Sequence, residues 1–399
     1  MGQTPICNVL VCGGAGYIGS HMVRALAARG CTPVIFDNLS TGHADAVDAA
    51  APDCDLVRGD LLDRQALRRV FAEYSIDAVM HFSARSLVGE SVREPALYYA
   101  NNVTGTLNLL DAMREAGVLR LVFSSTAAVY GNPVAERIAE THPLAPVNPY
   151  GASKLMVERM LADHATAYGL RSVALRYFNA AGADRAGGIG ESHSPETHLI
   201  PNILRAVLGT GPALTVFGSD YDTPDGTCVR DYIHVNDLCD AHLAALDKLL
   251  AAPVGTAALK DGLTKDGLTA EPGGKVALHY NLGNGLGFTV RQVIDAAARV
   301  TGREVPYTVG PRRDGDRLGD GDRRVRPRDG AAARRVDRRR RVLRGAEVDS
   351  ARAGPADPGR VVHQRCAEQR DRVAHPLYDD RRRREGAHRE RPGRRARGR

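Results

Sequence analysis

The sequence lacks the features that mark membrane-spanning, secreted and disulfide-framed proteins. It has no run of about 18 apolar residues, so no membrane-spanning helix is expected. Residues 1–6 show neither the basic nor the apolar region of a signal peptide, and Ile6 stands where a myristoylation motif needs Ser or Thr. The seven cysteines form no Cys-x-x-Cys pair, which favours buried free thiols in a reducing compartment. Together these absences predict a cytoplasmic protein.

Residues 317–399 lack most of the residues that build a hydrophobic core. They contain no Ile, Phe, Met, Asn, Thr, Lys or Trp, and their 27 Arg and 13 acidic residues give a net charge of +14. The whole chain carries +7, so residues 1–316 carry −7. A segment without apolar periodicity is expected to be disordered. Three interpretations stay open: a natural basic tail, an arm that binds nucleic acid, which is the least expected, and the product of a shifted reading frame, which Arg without Lys favours.

Short apolar strands alternate with helical patterns over residues 1–180. The predicted strands are 6–12, 33–36, 54–58, 77–82, 119–124 and 172–177, and the predicted helices are 17–29, 63–74, 95–116 and 150–168. This alternation predicts an α/β fold with a Rossmann-type, doubly wound parallel sheet.

Beyond residue 180 the alternation stops and Gly and Pro become frequent. Helices are predicted over 198–209, 235–250 and 289–301. We therefore expect a domain of residues 1–180, a smaller substrate domain of residues 181–316 and the tail 317–399. A tandem Lys-Asp-Gly-Leu-Thr repeat falls in residues 251–275, where we expect a loop insertion.

A glycine-rich turn joins the first strand to the first helix. Gly13 would allow the tight turn, Gly16 would let the backbone approach a pyrophosphate, and Gly19 would let the helix pack on the strand. Asp37, at the end of the second strand, could accept hydrogen bonds from a ribose diol and would repel a 2′-phosphate, which favours NAD over NADP. Asp60 could reach the adenine or could simply cap a turn.

Tyr150 and Lys154 lie one helical turn apart, on the same face of a predicted helix. A phenol with a pKa of about 10 is a poor base at neutral pH. A lysine ammonium beside it would favour the phenolate, which could then take a proton from a substrate hydroxyl. Thr126, at a strand end, could hold the substrate oxygen next to Tyr150. The set indicates hydride chemistry at an alcohol carbon.

Residues 1–316 resemble the extended short-chain dehydrogenase/reductase family, and most strongly its members that act on UDP-galactose and UDP-glucose. The resemblance is carried by 13–21, 37–40, 88–92, 98–103, 150–158, 175–182, 225–235 and 280–285. It implies that NAD stays bound while C4 of the sugar is inverted through a 4-keto intermediate, as in galactose metabolism. It also implies a homodimer.

The resemblance further implies roles for individual residues. The catalytic set would be Tyr150, Lys154 and Thr126. Cofactor contacts would come from Gly13, Gly16, Tyr17, Ile18, Gly19, Asp37, Asn38, Asp60, Leu61, Phe82, Asn101, Tyr150, Lys154 and Phe178. Substrate contacts would come from Thr126, Asn179, Leu199, Phe217, Arg230, Arg313 and Asp316, and no metal is implied.

Each of the less specific residues also has a simpler interpretation. Arg230 could belong to a surface ion pair, Phe178 and Phe217 to the ordinary core, and Asn179 to a loop cap.

After Asp316 the chain departs from the family, whose ending carries a Leu-Gly-Trp-like stretch, whereas this chain has no Trp. Preference between plain and N-acetylated sugars therefore cannot be predicted. Two alternatives stay open: another UDP-sugar enzyme of this family (a pentose or uronate epimerase, or a decarboxylase), or an inactive NAD-binding fragment.

Overall fold

The computed structural model describes residues 7–135, 137–251, 276–285 and 287–312. The predicted tail, the tandem repeat, Arg313 and Asp316 lie outside the described residues. The strands are β1 Asn8–Cys12, β2 Thr32–Asp37, β3 Leu56–Arg58, β4 Ala78–His81, β5 Arg120–Thr126, β6 Arg171–Tyr177, β7 Asn179–Ala181, β8 Leu214–Phe217, β9 Val229–Arg230, β10 Tyr232–His234, β11 Val276–Leu282, β12 Phe288–Thr289 and β13 Tyr307–Gly310.

The helices agree closely with the apolar periodicity of the sequence. They are α1 Tyr17–Ala28, α2 Ala44–Ala50, α3 Arg64–Glu73, α4 Val88–Arg93, α5 Pro95–Tyr98, α6 Gly105–Glu115, α7 Pro149–Tyr168, α8 Leu199–Leu208, α9 Val235–Ala251 and α10 Val290–Thr301. The helix predicted over 95–116 consists of α5, a π-helical turn at Tyr99–Thr104, and α6. Periodicity does not report such a local change in hydrogen-bond spacing. Helices α2 and α4 were not predicted.

Seven parallel strands form the central sheet in the order β11-β6-β5-β4-β1-β2-β3. The order runs outward from β1 in both directions, which makes the sheet doubly wound, as predicted. The carboxyl ends of its strands meet at one edge, and in open α/β sheets ligands bind at such an edge.

Apolar side chains cover both faces of this sheet. On one face, Leu67 of α3, Met113 of α6 and Val157 of α7 join the buried cluster. On the other face, Met22 of α1 and Leu246 of α9 do the same. Burial on both faces explains why the strands read as continuous apolar runs.

The chain beyond residue 180 both returns to the sheet and builds a smaller layer. Strand β11 pairs with β6, and α9 packs against α1 and the sheet. The smaller layer has its own core, formed by α8, α10 and the parallel pair β8–β13. The predicted domain boundaries at 180 and 316 stay a prediction.

Two composition-based expectations can be compared with the described residues. No helix in the described ranges combines the length and the apolarity needed to cross a membrane. Six cysteines fall in these ranges; all are free thiols, and five of them are buried.

Candidate active site

The glycine-rich turn between β1 and α1 has the geometry of a phosphate cradle. Gly13 has φ +81°, and a Cβ there would lie 2.6 Å from the backbone nitrogen of Ser83. A Cβ on Gly19 would lie 2.0 Å from the Gly13 carbonyl oxygen, so both positions require glycine.

Gly16 caps α1, and no side chain bonds to the first amides of that helix. Amides at a helix N-terminus attract phosphate oxygens, so the turn fits the pyrophosphate of a dinucleotide. Tyr17 and Ile18 open this helix. The Tyr17 hydroxyl donates to the Gly182 carbonyl at 2.6 Å and so ties α1 to the segment after β7.

Asp37 ends β2 with its side chain buried. Its two carboxylate oxygens accept from the Ala15 amide at 3.0 Å and the Leu39 amide at 2.8 Å. Burial raises the pKa of Asp37, while these two hydrogen bonds oppose the rise. Each oxygen still has a free lone pair for a ribose hydroxyl. Leu39 has a positive φ of 58°, unusual for a bulky residue, and the bond to Asp37 helps hold it there.

Asp60 has partners for both carboxylate oxygens. Oδ2 accepts from the Asn38 side-chain amide at 2.8 Å, and Oδ1 accepts from the Leu62 amide at 2.8 Å. The turn-capping interpretation of Asp60 is therefore observed, whereas its contact with adenine stays a prediction. Asn38 and Asp60 together connect the ends of β2 and β3. Leu61, next to them, is buried in the core.

Thr126 and Tyr150 meet at the carboxyl edge of the sheet. Thr126 ends β5, and Tyr150 lies in the first turn of α7, whose N-cap Asn148 accepts from the Gly151 amide at 2.9 Å. The Thr126 hydroxyl lies close enough to the Tyr150 phenol to lower its pKa. Lys154 is 3% exposed, and its ammonium donates to the Ser124 carbonyl at 2.8 Å. The structure thus brings the three predicted catalytic residues to one place.

The electrostatics of this group differ from the sequence expectation. Burial raises the pKa of Tyr150, and the nearby Thr126 hydroxyl only partly offsets that rise. Burial also lowers the pKa of Lys154 to about 7, against the pull of Glu158. In the protein alone, loss of water therefore outweighs the expected help from the lysine.

A buried ion pair joins β6 to α7, the helix that carries Tyr150 and Lys154. Glu158, one turn after Lys154, accepts from the guanidinium of Arg176 at 2.9 Å and from the Ser125 hydroxyl at 2.5 Å. Arg176 also donates to the Tyr130 hydroxyl at 2.8 Å. This network was not predicted. The one signal for it in the sequence is the spacing of Glu158 from Lys154, which places both on one helix face.

Asn101 and Asn102 lie in the π-helical turn between α5 and α6. The predicted residue, Asn101, is half-buried and donates to the Asn102 side-chain oxygen at 2.8 Å. Asn102, which was not predicted, is buried; it accepts from the Arg85 amide at 2.9 Å and donates to the Ser153 hydroxyl at 3.0 Å. Asn102 therefore fixes the turn that presents Asn101.

Three residues predicted to contact the cofactor or the substrate bond or pack against other residues of the protein. The Asn179 side-chain amide donates to the Asp231 carbonyl at 2.9 Å, as expected for a loop cap. Phe178 packs against a small buried cluster, and the Phe82 ring lies 4.9 Å from that of His242. For these three residues, the cofactor or substrate roles stay predictions.

Three further predicted substrate residues fall in the layer beyond residue 180. Leu199 begins α8 and packs on its core, Phe217 ends β8 and is 36% exposed, and Arg230 lies in β9 and donates to the Val229 carbonyl at 3.1 Å.

Asp231, which was not predicted, connects two segments of the chain beyond residue 180. Its carboxylate accepts from the Asn284 amide at 2.7 Å and the Gly285 amide at 2.9 Å. The two motifs that carry the resemblance most strongly, 225–235 and 280–285, are therefore joined through one buried carboxylate.

The sequence and the fold both have known relatives. Residues 9–257 match the family model described as "NAD dependent epimerase/dehydratase family". The UDP-glucose 4-epimerase of Halalkalibacterium halodurans is 49% identical over 308 residues, which cover 77% of this chain and 84% of that protein. The UDP-glucose 4-epimerase of Rhizobium meliloti is 50% identical over 311 residues, covering 77% and 86%.

Among solved structures, UDP-glucose 4-epimerase from Brucella ovis in complex with NAD superimposes with a TM-score of 0.70 at 48% identity, covering 78% of this chain and 88% of that one. The Bifidobacterium longum enzyme in complex with NAD⁺ and UDP gives 0.69 at 36% identity, covering 83% and 95%. With the family match spanning more than half of its residues, this chain belongs to the NAD dependent epimerase/dehydratase family.

Proposed function

We propose that this protein is a UDP-glucose 4-epimerase that interconverts UDP-galactose and UDP-glucose with bound NAD. The observation that carries the proposal is the placement of Thr126, Tyr150 and Lys154 together at the sheet edge that also holds the glycine-rich turn. Relatives named UDP-glucose 4-epimerase, 46–50% identical over about three-quarters of the chain, give the substrate.

The residues present fit NAD. The N-terminal amides of α1 have no side-chain cap and are available to a pyrophosphate, and Gly13 and Gly19 have no Cβ that would block the turn. The Asp37 carboxylate has lone pairs available for a ribose hydroxyl. The remaining cofactor contacts that we propose are Tyr17, Ile18, Asn38, Asp60, Leu61, Phe82, Asn101 and Phe178. When bound, the nicotinamide supplies hydride acceptance at C4 of the sugar and return of that hydride to the opposite face.

The chain's own residues then supply proton transfer and position. Tyr150 takes the proton of the sugar 4-hydroxyl and later returns it, and Thr126 holds the same oxygen. Because burial raises the pKa of Tyr150, forming its phenolate at neutral pH requires a neighbouring positive charge. Protonated Lys154 provides one, and Ser124 holds that ammonium in place.

We assign the substrate side to the layer beyond residue 180. Asn179, Leu199, Phe217 and Arg230 would hold the UDP-sugar, and Arg313 and Asp316 stay assigned by resemblance alone. Arginine suits the diphosphate because its guanidinium matches phosphate oxygens.

The residues after Thr126 favour epimerisation over dehydration. A dehydratase would need acidic residues beside this hydroxyl. The 3₁₀ turn that follows it directly, Ala127–Tyr130, has the sequence Ala-Ala-Val-Tyr and contains no acidic residue. Pentose or uronate epimerases and a decarboxylase would share the same proton-transfer set, so product analysis separates them. The homodimer and the cytoplasmic location are part of this proposal; the homodimer rests on the resemblance, and the location is supported by the free cysteines.

Tyr150→Phe tests the assignment. Loss of one acid–base group should lower the conversion of UDP-galactose to UDP-glucose about 10²- to 10⁴-fold, because the phenol that moves the proton is gone. The assay follows UDP-glucose formation without added reductant, and NAD released on denaturation is measured in parallel.

Tyr168→Phe, at the exposed end of the same helix, is the matched control and should turn over normally. Unchanged turnover in Tyr150→Phe would contradict the assigned base. Bound NAD without any turnover in the wild-type protein would instead favour the inactive NAD-binding alternative.

A further inference from the structure

Two imidazoles and two carboxylates converge in the segment before α8. They belong to Glu191, His193, Glu196 and His198, and one potential ligand atom from each lies within 4.8 Å of the other three. Nδ1 of His198 is 2.5 Å from Glu191 and 3.3 Å from Glu196, and Nδ1 of His193 is 3.3 Å from Glu191. Ligand atoms around one tetrahedral Zn²⁺ lie about 3.3 Å apart, so the two spacings of 3.3 Å suit a single ion. The contact of 2.5 Å between His198 and Glu191 is that of a hydrogen-bonded pair and would lengthen when an ion binds.

The burial and bonding of the cluster favour a ligand rather than a solvated charged surface. The side chains of Glu191 and Glu196 are 7% and 3% exposed, whereas those of His193 and His198 are 29% and 49% exposed. Nδ1 of His193 is buried and faces the Glu191 carboxylate at 3.3 Å without making a hydrogen bond of normal geometry. A cation placed between this nitrogen and the Glu191 carboxylate would satisfy both groups.

The segment is held in place by contacts with α1 and with the residue before α2. The His193 ring stands edge-on to Tyr17 with 6.4 Å between centroids. The neighbouring Ser192 carbonyl lies 2.8 Å from Nε2 of His43, and Arg24 pairs with Asp184 at 2.9 Å. The four side chains are thus positioned in advance, as a binding site requires.

We propose that Glu191, His193, Glu196 and His198 form a structural site for one divalent cation of the zinc class. Two imidazole nitrogens with two carboxylate oxygens suit Zn²⁺ or Co²⁺ better than Mg²⁺ or Ca²⁺, which prefer all-oxygen sets. The four side chains fill a tetrahedral shell, which is typical of structural rather than catalytic zinc. Because His198 is the N-cap residue of α8, the ion would fix the start of that helix to the segment lying against Tyr17.

Titration of the NAD-loaded full chain with Zn²⁺, after treatment with EDTA, tests the site. We expect about one tightly bound ion per chain, and Co²⁺ in its place should give the intense visible absorption of a tetrahedral complex. Each of His193→Ala and His198→Ala should weaken binding about 100-fold or more, and the double variant should abolish the cobalt spectrum.

His164→Ala, on α7, is the matched control for loss of a histidine and should bind as the wild type does. NAD content of every variant shows whether it has folded. The competing explanation is a protonated His198 that simply pairs with both carboxylates. Wild-type protein that binds no more Zn²⁺ than the folded double variant, or that gives an octahedral cobalt spectrum, would overturn the proposal in favour of that ion pair.

Discussion

At the scale of the residue, loss of water has the largest effect on the pKa values of Tyr150 and Lys154, the proposed acid–base pair. Lys154 is buried and Tyr150 is half-buried, and loss of water shifts each pKa toward the neutral form, upward for the phenol and downward for the amine. The sequence predicted correctly that the two would share a helix face. It could not give their burial, which depends on β5 and on the π-helical turn packing around them.

The pKa of Lys154 has a consequence for stability. Its value is about 7 in the folded protein and 10.5 ordinarily, so between these values the unfolded chain binds a proton that the folded chain does not. Stability should therefore rise with pH across this window, by up to about 1.4 kcal/mol per pH unit. Below about pH 7 both states carry the proton and this dependence vanishes.

Lys154→Met removes this contribution. The free energy of unfolding of wild type minus that of Lys154→Met should increase between pH 7 and pH 10, as measured by urea unfolding of the cofactor-free proteins. Lys248→Met, on α9, controls for removal of a lysine as such. A difference between wild type and Lys154→Met that stays constant with pH would show that Lys154 keeps its ordinary pKa.

At the scale of the element, α7 is stabilised from both sides by polar groups. Glu158 and Arg176 are almost fully buried, and the pair also engages Ser125 and Tyr130. Sequence periodicity marks a buried helix face, but it cannot name a partner that comes from a neighbouring strand. Asp231 and Asn102 escaped prediction for the same reason, since their partners lie 53 and 51 residues away along the chain.

Glu158→Gln should destabilise the protein by about 3–5 kcal/mol, because it leaves the Arg176 guanidinium buried without a counter-charge. Denaturant unfolding measures the loss. The matched control is Asp163→Asn on the same helix, which breaks the exposed Arg159–Asp163 pair and should cost less than about 1 kcal/mol. Equal effects of the two substitutions would mean that Glu158 and Arg176 contribute no more than a surface pair.

At the scale of the whole molecule, the sequence predicted the layers better than their connections. The predicted strands 33–36, 119–124 and 172–177 differ from β2, β5 and β6 by at most two residues at either end. The pairing of β11 with β6 was not foreseen, because β11 follows β6 by about a hundred residues and its apolar pattern does not identify its neighbour. Long-range pairing is a property of the folded chain and is only weakly encoded in local periodicity.

The charge of the chain is divided unevenly along the sequence. All the strands and helices that the structure describes, including those that carry Thr126 and Tyr150, end by residue 310. Residues 317–399 carry a net charge of +14, whereas residues 1–316 carry −7. A chain cut after Asp316 should therefore keep NAD and the turnover of UDP-galactose, measured as in the Tyr150 experiment. Its net charge falls from +7 to −7, so retention on DNA at low salt should disappear with the tail. Loss of NAD or of turnover in the shortened chain would mean that residues 317–399 complete the fold rather than merely follow it.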